Sequence, residues 1–174
     1  RNEKLVRPWA IPGTKGLAHR IGGLEKENET GNVSYDADNH QLMTDIRQAK
    51  IDKIADYIPL QTIDSGEETG DLLMLSWGST YGVVKTAVKI ALKEGKKVSH
   101  VHLRYINPLP KNLGEILKRF DKIIVPEMNN GQLVKIIRAE YLAPAEGFSK
   151  VKGLPFATEE LTAKINDTLS TVSA

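Results

Sequence analysis

The stretch Leu72–Lys93, LLMLSWGSTYGVVKTAVKIALK, decides the fold of this chain. Its first four residues are apolar, which is typical of a buried strand, and a glycine-bearing turn follows them. From Thr80 to Lys93 the apolar residues recur at helical spacing. The residues that share one helix face are Val84, Ala87, Val88 and Ala91. A strand, a tight turn and a helix form the first half of a βαβ unit.

The same pattern continues toward the C-terminus. Further predicted strands are Val98–Leu103, Lys122–Val125, stopped by Pro126, and Val151–Leu154. Further predicted helices are 112–120, 131–142 and one that begins at Thr158. Because strands alternate with helices, we expect an α/β domain over residues 61–174, a three-layer α/β/α fold with a mainly parallel sheet.

The residues before this domain differ in composition. Residues 1–37 are rich in Gly, Pro, Asn and Glu, which predicts a loop tail, and Trp9 in that tail is a group that an ordered protein buries. Residues 38–60 predict a connecting helix, with Asp38 as its N-cap and an end near Tyr57. Its apolar face changes sides near Lys50, which fits a connector between two packed bodies and, equally, a helix that breaks there.

Composition excludes several classes of function. The chain has 174 residues, with 24 Lys and Arg against 22 Asp and Glu, so its net charge of +2 gives no support to nucleic-acid binding. It has no cysteine, which excludes disulfides, thiolate nucleophiles and an iron–sulfur cluster held by this chain. The lack of cysteine leaves the cytoplasm as the compartment expected by default. Since no apolar run approaches about 18 residues, we expect no membrane span and a soluble protein.

The turns that follow the predicted strands are the candidate functional sites, because ligands of open α/β sheets bind at the carboxyl ends of the strands. The candidate ligand or interface residues in these turns are Gly78, Ser79 and Thr80, then Arg104 and Asn107, then Glu127, Asn129, Asn130 and Gln132. The glycine spacing of the first turn does not match the phosphate-binding motifs. These residues can bind a polar ligand, or they can cap helices and bridge to a neighbouring subunit, and we favour the second interpretation.

The histidines form two further candidates. His100 and His102 alternate on a strand and therefore share a face; without a third ligand, a structural role is favoured over a metal site. His19 and Arg20 lie in the glycine-rich tail, where they are candidates to face an adjoining active site. No catalytic residue and no metal ligand is assigned to this chain.

Several motifs, in order and spacing, resemble the alpha subunit of 2-oxoglutarate:ferredoxin oxidoreductases, members of the 2-oxoacid:acceptor oxidoreductase family. The motifs are RPWAIPGT (7–14), HRIGGLE (19–25), GNVSYD (31–36), the Trp-Gly-Ser-Thr turn (77–80), NPLP (107–110) and VPEMNNGQL (125–133). The resemblance covers nearly the whole chain. It implies the carboxy-terminal part of that subunit: the last loop of the pyrimidine-binding domain (1–37), the connecting helix (38–60) and a transketolase C-terminal-like domain (61–174).

The resemblance also implies an activity for the complete enzyme. Such enzymes oxidatively decarboxylate a 2-oxoacid to its acyl-coenzyme A and reduce ferredoxin, with thiamine diphosphate, magnesium and an iron–sulfur cluster as cofactors. Gly70-Asp71 is followed by Leu72, so the G-D-G motif of the diphosphate–magnesium signature is absent. By resemblance, the cofactors belong to the beta subunit, and this chain alone is expected to bind none of them and to be inactive.

Two functional hypotheses follow. In the first, the chain is a subunit-contact domain whose partners are the beta subunit and a second alpha subunit, with ferredoxin and coenzyme A as partners of the whole enzyme. In the second, it is a regulatory module that binds an anion or nucleotide at the strand-end turns. The second predicts that phosphate-containing ligands raise the melting temperature of the chain.

Overall fold

A computed structural model describes residues 1–171 of the chain. The chain divides into two compact units, Arg1–Ile58 (unit 1) and Pro59–Ala174 (unit 2). Unit 1 contains one helix, α1 (Ala37–Asp52), followed by a 3₁₀ turn, Lys53–Asp56. The strands of unit 2 are β1 (Gly70–Trp77), β2 (Val98–Leu103), β3 (Phe120–Glu127) and β4 (Ala145–Ser149). Its helices are α2 (Tyr81–Lys93), α3 (Leu113–Leu117), α4 (Gln132–Tyr141) and α5 (Thr158–Ser170).

Unit 2 is built on a parallel four-stranded sheet in the order β2-β1-β3-β4. Side chains of β1 alternate between its two faces, as the pleat of a strand requires. Leu73 and Leu75 pack in the core formed with α3 and α4, whereas Leu72 and Met74 pack in the core formed with α2 and α5. The expected α/β fold, a parallel sheet covered on both faces, is confirmed.

Two strand predictions are wrong in detail. The fourth strand is Ala145–Ser149 rather than Val151–Leu154, whose apolar side chains are exposed in a loop. Pro126 does not stop the third strand, which continues to Glu127. The paired register between β1 and β3 ends at Ile124, so the missing N–H of Pro126 lies beyond that ladder.

The outer edge of β2 is covered by the segment that leads into β1. Ser65 forms an antiparallel bridge with His100, in which the His100 N–H donates to the Ser65 carbonyl at 2.8 Å and the Asp64 N–H donates to the His100 carbonyl at 2.7 Å. Gly66 has φ +92°, and a Cβ there would lie 2.5 Å from the Val98 carbonyl oxygen. Glycine is therefore required where this segment crosses the strand.

Unit 1 has little apolar interior. Among residues 1–58, all of which the structure describes, Met43 is the only buried apolar side chain. The N-cap of α1 is Asp36 rather than Asp38: its carboxylate accepts from the Asn39 N–H at 2.7 Å. The α-helix ends at Asp52, before the predicted end near Tyr57, and continues as the 3₁₀ turn.

The helices found in residues 1–171 include none with both the length and the apolar character needed to cross a membrane.

Candidate functional site at the carboxyl edge of the sheet

The sheet order makes the carboxyl ends of β1 and β3 the topological switch point of unit 2. The chain leaves β1 into α2 on one face of the sheet and leaves β3 into α4 on the opposite face. In doubly wound α/β folds, this switch point is where ligands bind. The two turns approach each other here, with the Ser79 Oγ 3.9 Å from the Met128 Sδ.

The turn after β1 is stabilised by its own residues. The buried Thr80 hydroxyl donates to the Trp77 carbonyl at 2.8 Å, and Gly78 has φ +58°, a left-handed conformation that suits glycine. Ser79 is exposed. Thr80 therefore fixes the turn, and Ser79 is the residue of this turn whose hydroxyl is accessible to a ligand.

The turn after β3 caps α4. Glu127 is fully buried, and its two carboxylate oxygens accept from the N–H groups of Leu133 at 2.8 Å and Val134 at 2.9 Å. The Asn129 side-chain oxygen accepts from the Gln132 N–H at 2.9 Å. The first amides of α4 are thus satisfied by the chain itself, which leaves them unavailable to an external anion.

The remaining strand-end candidates lie on the surface. Arg104 and Asn107 are exposed in the turn after β2, and Asn130 and Gln132 are exposed in the turn after β3. Burial is the main cause that lowers the pKa of His102, and the nearby Arg104 guanidinium acts in the same direction. The structure thus separates the predicted residues into buried groups that stabilise the turns and exposed groups that face solvent.

A buried polar cluster adjoins this edge and includes a residue that the sequence did not single out. The Ser76 Oγ lies 2.7 Å from the His100 Nε2 and 2.8 Å from the His102 Nδ1. The ring of Tyr81, at the start of α2, lies 4.7 Å from the ring of His102, and its hydroxyl accepts from the Lys85 Nζ at 2.7 Å. The shared face of the two histidines is a signal in the sequence, but the participation of Ser76 depends on strand register.

The environment of this cluster disfavours protonation. Burial lowers the pKa of His100 to about 4, although the nearby Asp64 carboxylate acts in the opposite direction. Burial also lowers the pKa of His102, again opposed by Asp64. Buried imidazoles resist charging because the interior solvates an ion poorly.

The tail residues His19 and Arg20 lie in unit 1, whereas the strand-end turns lie in unit 2. Both are exposed and line a concavity of about 860 Å³ that Arg7 and Lys26 also line. The His19 Nδ1 lies 2.8 Å from the Leu17 carbonyl oxygen. No nucleophile or carboxylate within hydrogen-bond distance of His19 is found in residues 1–171.

Within unit 1, Glu25 lies between a histidine and an arginine side chain. Its carboxylate lies 2.6 Å from the His40 Nδ1 and 2.9 Å from an Arg47 guanidinium nitrogen. Hydrogen bonds from Arg47 and then His40 lower the pKa of Glu25 to about 2. In the described part of the chain, no group of three or more His, Asp or Glu side chains is placed to hold a metal ion.

The chain matches the family model of the pyruvate:ferredoxin oxidoreductase core domain II over residues 70–160, slightly more than half of its length. It is 48% identical over 159 residues to the 2-oxoglutarate oxidoreductase subunit KorA of Mycobacterium tuberculosis, covering 91% of this chain and 24% of that protein. It is 29% identical over 132 residues to the 2-oxoglutarate synthase subunit KorA of Archaeoglobus fulgidus, covering 75% of this chain and 36% of that protein.

A solved structure shows the same fold. The 2-oxoglutarate:ferredoxin oxidoreductase from Magnetococcus marinus, with 2-oxoglutarate, coenzyme A and succinyl-CoA bound, matches with a TM-score of 0.88 and 32% identity. The match covers 97% of this chain and 30% of that one. The chain therefore spans about a quarter to a third of the length of these relatives. These matches confirm the resemblance read from the motifs, and the chain belongs to the family of the pyruvate:ferredoxin oxidoreductase core domain II.

Proposed function

We propose that this chain is the carboxy-terminal, subunit-contact part of the alpha subunit of a 2-oxoglutarate:ferredoxin oxidoreductase. The distribution of apolar side chains carries the proposal. Trp9, Ile21 and Tyr35 of unit 1 are 89%, 86% and 86% exposed, and a tail this apolar needs a partner surface to bury them. The complete enzyme would convert a 2-oxoacid to acyl-coenzyme A with reduction of ferredoxin.

The choice of substrate follows the relatives. Two of them are named for 2-oxoglutarate, and a third was solved with 2-oxoglutarate, coenzyme A and succinyl-CoA bound. We propose 2-oxoglutarate as the substrate of the complete enzyme on that ground. The division into a tail (1–37), a connecting helix (38–60) and a transketolase C-terminal-like domain (61–174) stands as part of the same proposal.

The residues of this chain do not fit the cofactors of such an enzyme. The sequence contains no cysteine to hold an iron–sulfur cluster, and Gly70-Asp71 is followed by Leu72 rather than by the second glycine of the G-D-G diphosphate–magnesium motif. We therefore assign thiamine diphosphate, magnesium and the cluster to other parts of the enzyme. The contribution of this chain is to bind a beta subunit and a second alpha subunit, in a cytoplasmic complex, and the chain alone would not turn over substrate.

The regulatory-module hypothesis has less support. An anion at α4 would compete with Glu127 for the amides of Leu133 and Val134, which are already satisfied. A thermal-shift series with phosphate, simple nucleotides and coenzyme A tests it directly. A ligand-dependent rise in melting temperature that Arg104→Ala abolishes would favour the module over the contact domain.

Co-purification with the beta subunit tests the contact role. We expect a tagged beta subunit to retain the chain, and the double variant Trp9→Ser, Ile21→Ser to weaken that retention. The matched control is Leu142→Ser, which removes an apolar side chain of unit 2 that is likewise 89% exposed. Equal retention of both variants, or no retention of the unmodified chain, would refute the contact role of the tail.

A further inference from the structure

One hydroxyl group serves two imidazoles in the cluster at the end of β1 and β2. Ser76 lies 2.7 Å from the His100 Nε2 and 2.8 Å from the His102 Nδ1. A serine hydroxyl has a single hydrogen, so it donates to one ring and must accept from the other. The protonation states of the two histidines are therefore coupled through the position of that hydrogen.

The two histidines differ in their access to solvent. Ser76 and His100 are fully buried, and the His100 Nδ1 has no hydrogen-bond partner among residues 1–171. His102 is only partly buried. Burial lowers the pKa of both imidazoles, to about 4 for His100.

Charged and titratable groups face the pair from each neighbouring element. Asp64, in the segment before β1, favours the protonated forms of both histidines, whereas Lys85 of α2 disfavours protonation of His100 and Arg104 disfavours protonation of His102. The Tyr81 ring contacts both imidazoles, with centroids 5.7 Å from His100 and 4.7 Å from His102.

The difference in burial sets an order for protonation, because the partly buried His102 accepts a charge more readily than the fully buried His100. If His102 donates from its Nδ1 to Ser76, and Ser76 donates to the His100 Nε2, a first proton on the other nitrogen of His102 leaves both hydrogen bonds intact. A second proton, on the His100 Nε2, forces Ser76 to accept from both rings and leaves its own hydrogen without an acceptor in the cluster. It also places two positive rings 6.2 Å apart in a buried site.

The same strand holds the segment that covers the sheet edge. The His100 backbone exchanges hydrogen bonds with Asp64 and Ser65, at 2.7 and 2.8 Å. The His102 N–H donates to the Asp64 carboxylate at 2.8 Å. Burial outweighs the attraction of the Asp64 carboxylate in lowering the pKa of His100, so a charge on that ring favours states in which β2 has opened to water and these hydrogen bonds are broken.

We propose that Ser76, His100 and His102 form a two-step acid-sensitive latch on the segment Gln61–Ser65. The first proton binds at His102 and leaves the segment fastened to β2. The second binds at His100 and releases the segment. The latch rests on the geometry of unit 2 and is independent of the proposed enzyme activity.

Nuclear magnetic resonance of the complete chain tests this order. Imidazole resonances of His100 and His102 would be followed from neutral pH to about pH 3. Hydrogen exchange at the backbone amides of Asp64 and His100 would be measured over the same range and corrected for the intrinsic effect of pH. We expect His102 to titrate first with these amides still protected. Their protection should fall at least tenfold relative to β1 amides when His100 titrates.

Two variants separate the latch from general acid unfolding. His100→Gln, which keeps a side-chain amide near Ser76 and takes no charge, should retain protection of the Asp64 amide in acid. Ser76→Ala should bring the two titration midpoints closer together, whereas Ser79→Ala, in the exposed turn nearby, should leave them unchanged. The proposal is overturned if His100 titrates first, if protection is lost when His102 titrates, or if His100→Gln loses protection in acid as the unmodified chain does.

Discussion

The two units of this chain are stabilised in different ways. Unit 2 buries apolar side chains on both faces of a parallel sheet, and three of its polar side chains, Ser76, His100 and Glu127, are completely buried. Unit 1 buries only Met43 among residues 1–58, and polar contacts such as that of Asn39 with the Lys26 carbonyl hold its loops. Unit 2 therefore has the core of an independent domain, whereas unit 1 buries almost no apolar surface of its own, as the proposed contact role requires.

A matched pair of isoleucine truncations should separate the two units most strongly. Ile165 in α5 is completely buried, whereas Ile21 in the tail is 86% exposed. We expect Ile165→Ala to lower the free energy of unfolding by about 2–5 kcal/mol, because it leaves a cavity. Ile21→Ala should change it by less than about 0.5 kcal/mol. Urea denaturation followed by circular dichroism measures both, and similar losses would remove the distinction between the units.

Acid should affect unit 2 through His100. Its pKa of about 4 in the folded state lies below its usual value of 6.5, so its neutral form stabilises the fold above pH 6.5. That stabilisation, up to about 3 kcal/mol, is lost as the pH falls from 6.5 toward 4. Urea denaturation across this range should show the loss, and His100→Gln should flatten the profile. An unchanged slope in that variant would assign the acid sensitivity to other groups.

Replacing one acceptor oxygen of Glu127 should lower the free energy of unfolding by less than a cavity in the core does. Glu127→Gln leaves one of the two α4 amides, of Leu133 or Val134, facing an amide nitrogen that cannot accept. We expect a loss of about 1–3 kcal/mol in the free energy of unfolding, the cost of an unsatisfied buried donor. Glu140→Gln, at an exposed position of the same helix, serves as the control and should change it by less than about 0.5 kcal/mol.

The smallest effect on stability is expected from the surface ion pair between Arg47 and Glu25 in unit 1. Arg47→Gln removes the main cause of the low pKa of Glu25, so that pKa should rise from about 2 toward its usual value of 4.5. Carboxyl-carbon resonances recorded against pH would measure the shift. The unfolding of unit 2 should be unaffected, and a change there would show that the units are energetically coupled.

Local sequence patterns predicted the elements of unit 2 whose ends are marked in the sequence. The bounds of β2, Val98–Leu103, agree with the prediction because the strand begins and ends on apolar residues, with two lysines before it and Arg104 after it. The position of β4 could not be predicted, because Ala145–Ser149 contains Glu146 and Gly147, and pairing with β3 defines it. A Cβ on Gly147 would lie 3.1 Å from Val134 of α4, a constraint that only the folded chain reveals.

In the candidate site, too, local sequence patterns predicted some features, whereas others depend on contacts between residues that are distant in the sequence. The expected parallel arrangement of the strands predicted that the three turns lie at one edge of the sheet. The alternation of side chains along a strand predicted that His100 and His102 share one face. That Ser76 lies between the two imidazoles depends on the register that pairs it with His102, which no local pattern encodes. The role of Glu127 likewise depends on the turn that brings α4 back to its carboxylate.

The segment that covers the edge of β2 determines where a truncated protein containing only unit 2 should begin. The family match begins at residue 70, and a truncated protein starting there would lack the Ser65 bridge and the close crossing at Gly66. Its β2 would then present unpaired backbone groups, which invite other strands and promote aggregation. Truncation at Pro59 keeps the cover and is the boundary at which unit 2 should remain well behaved at high concentration.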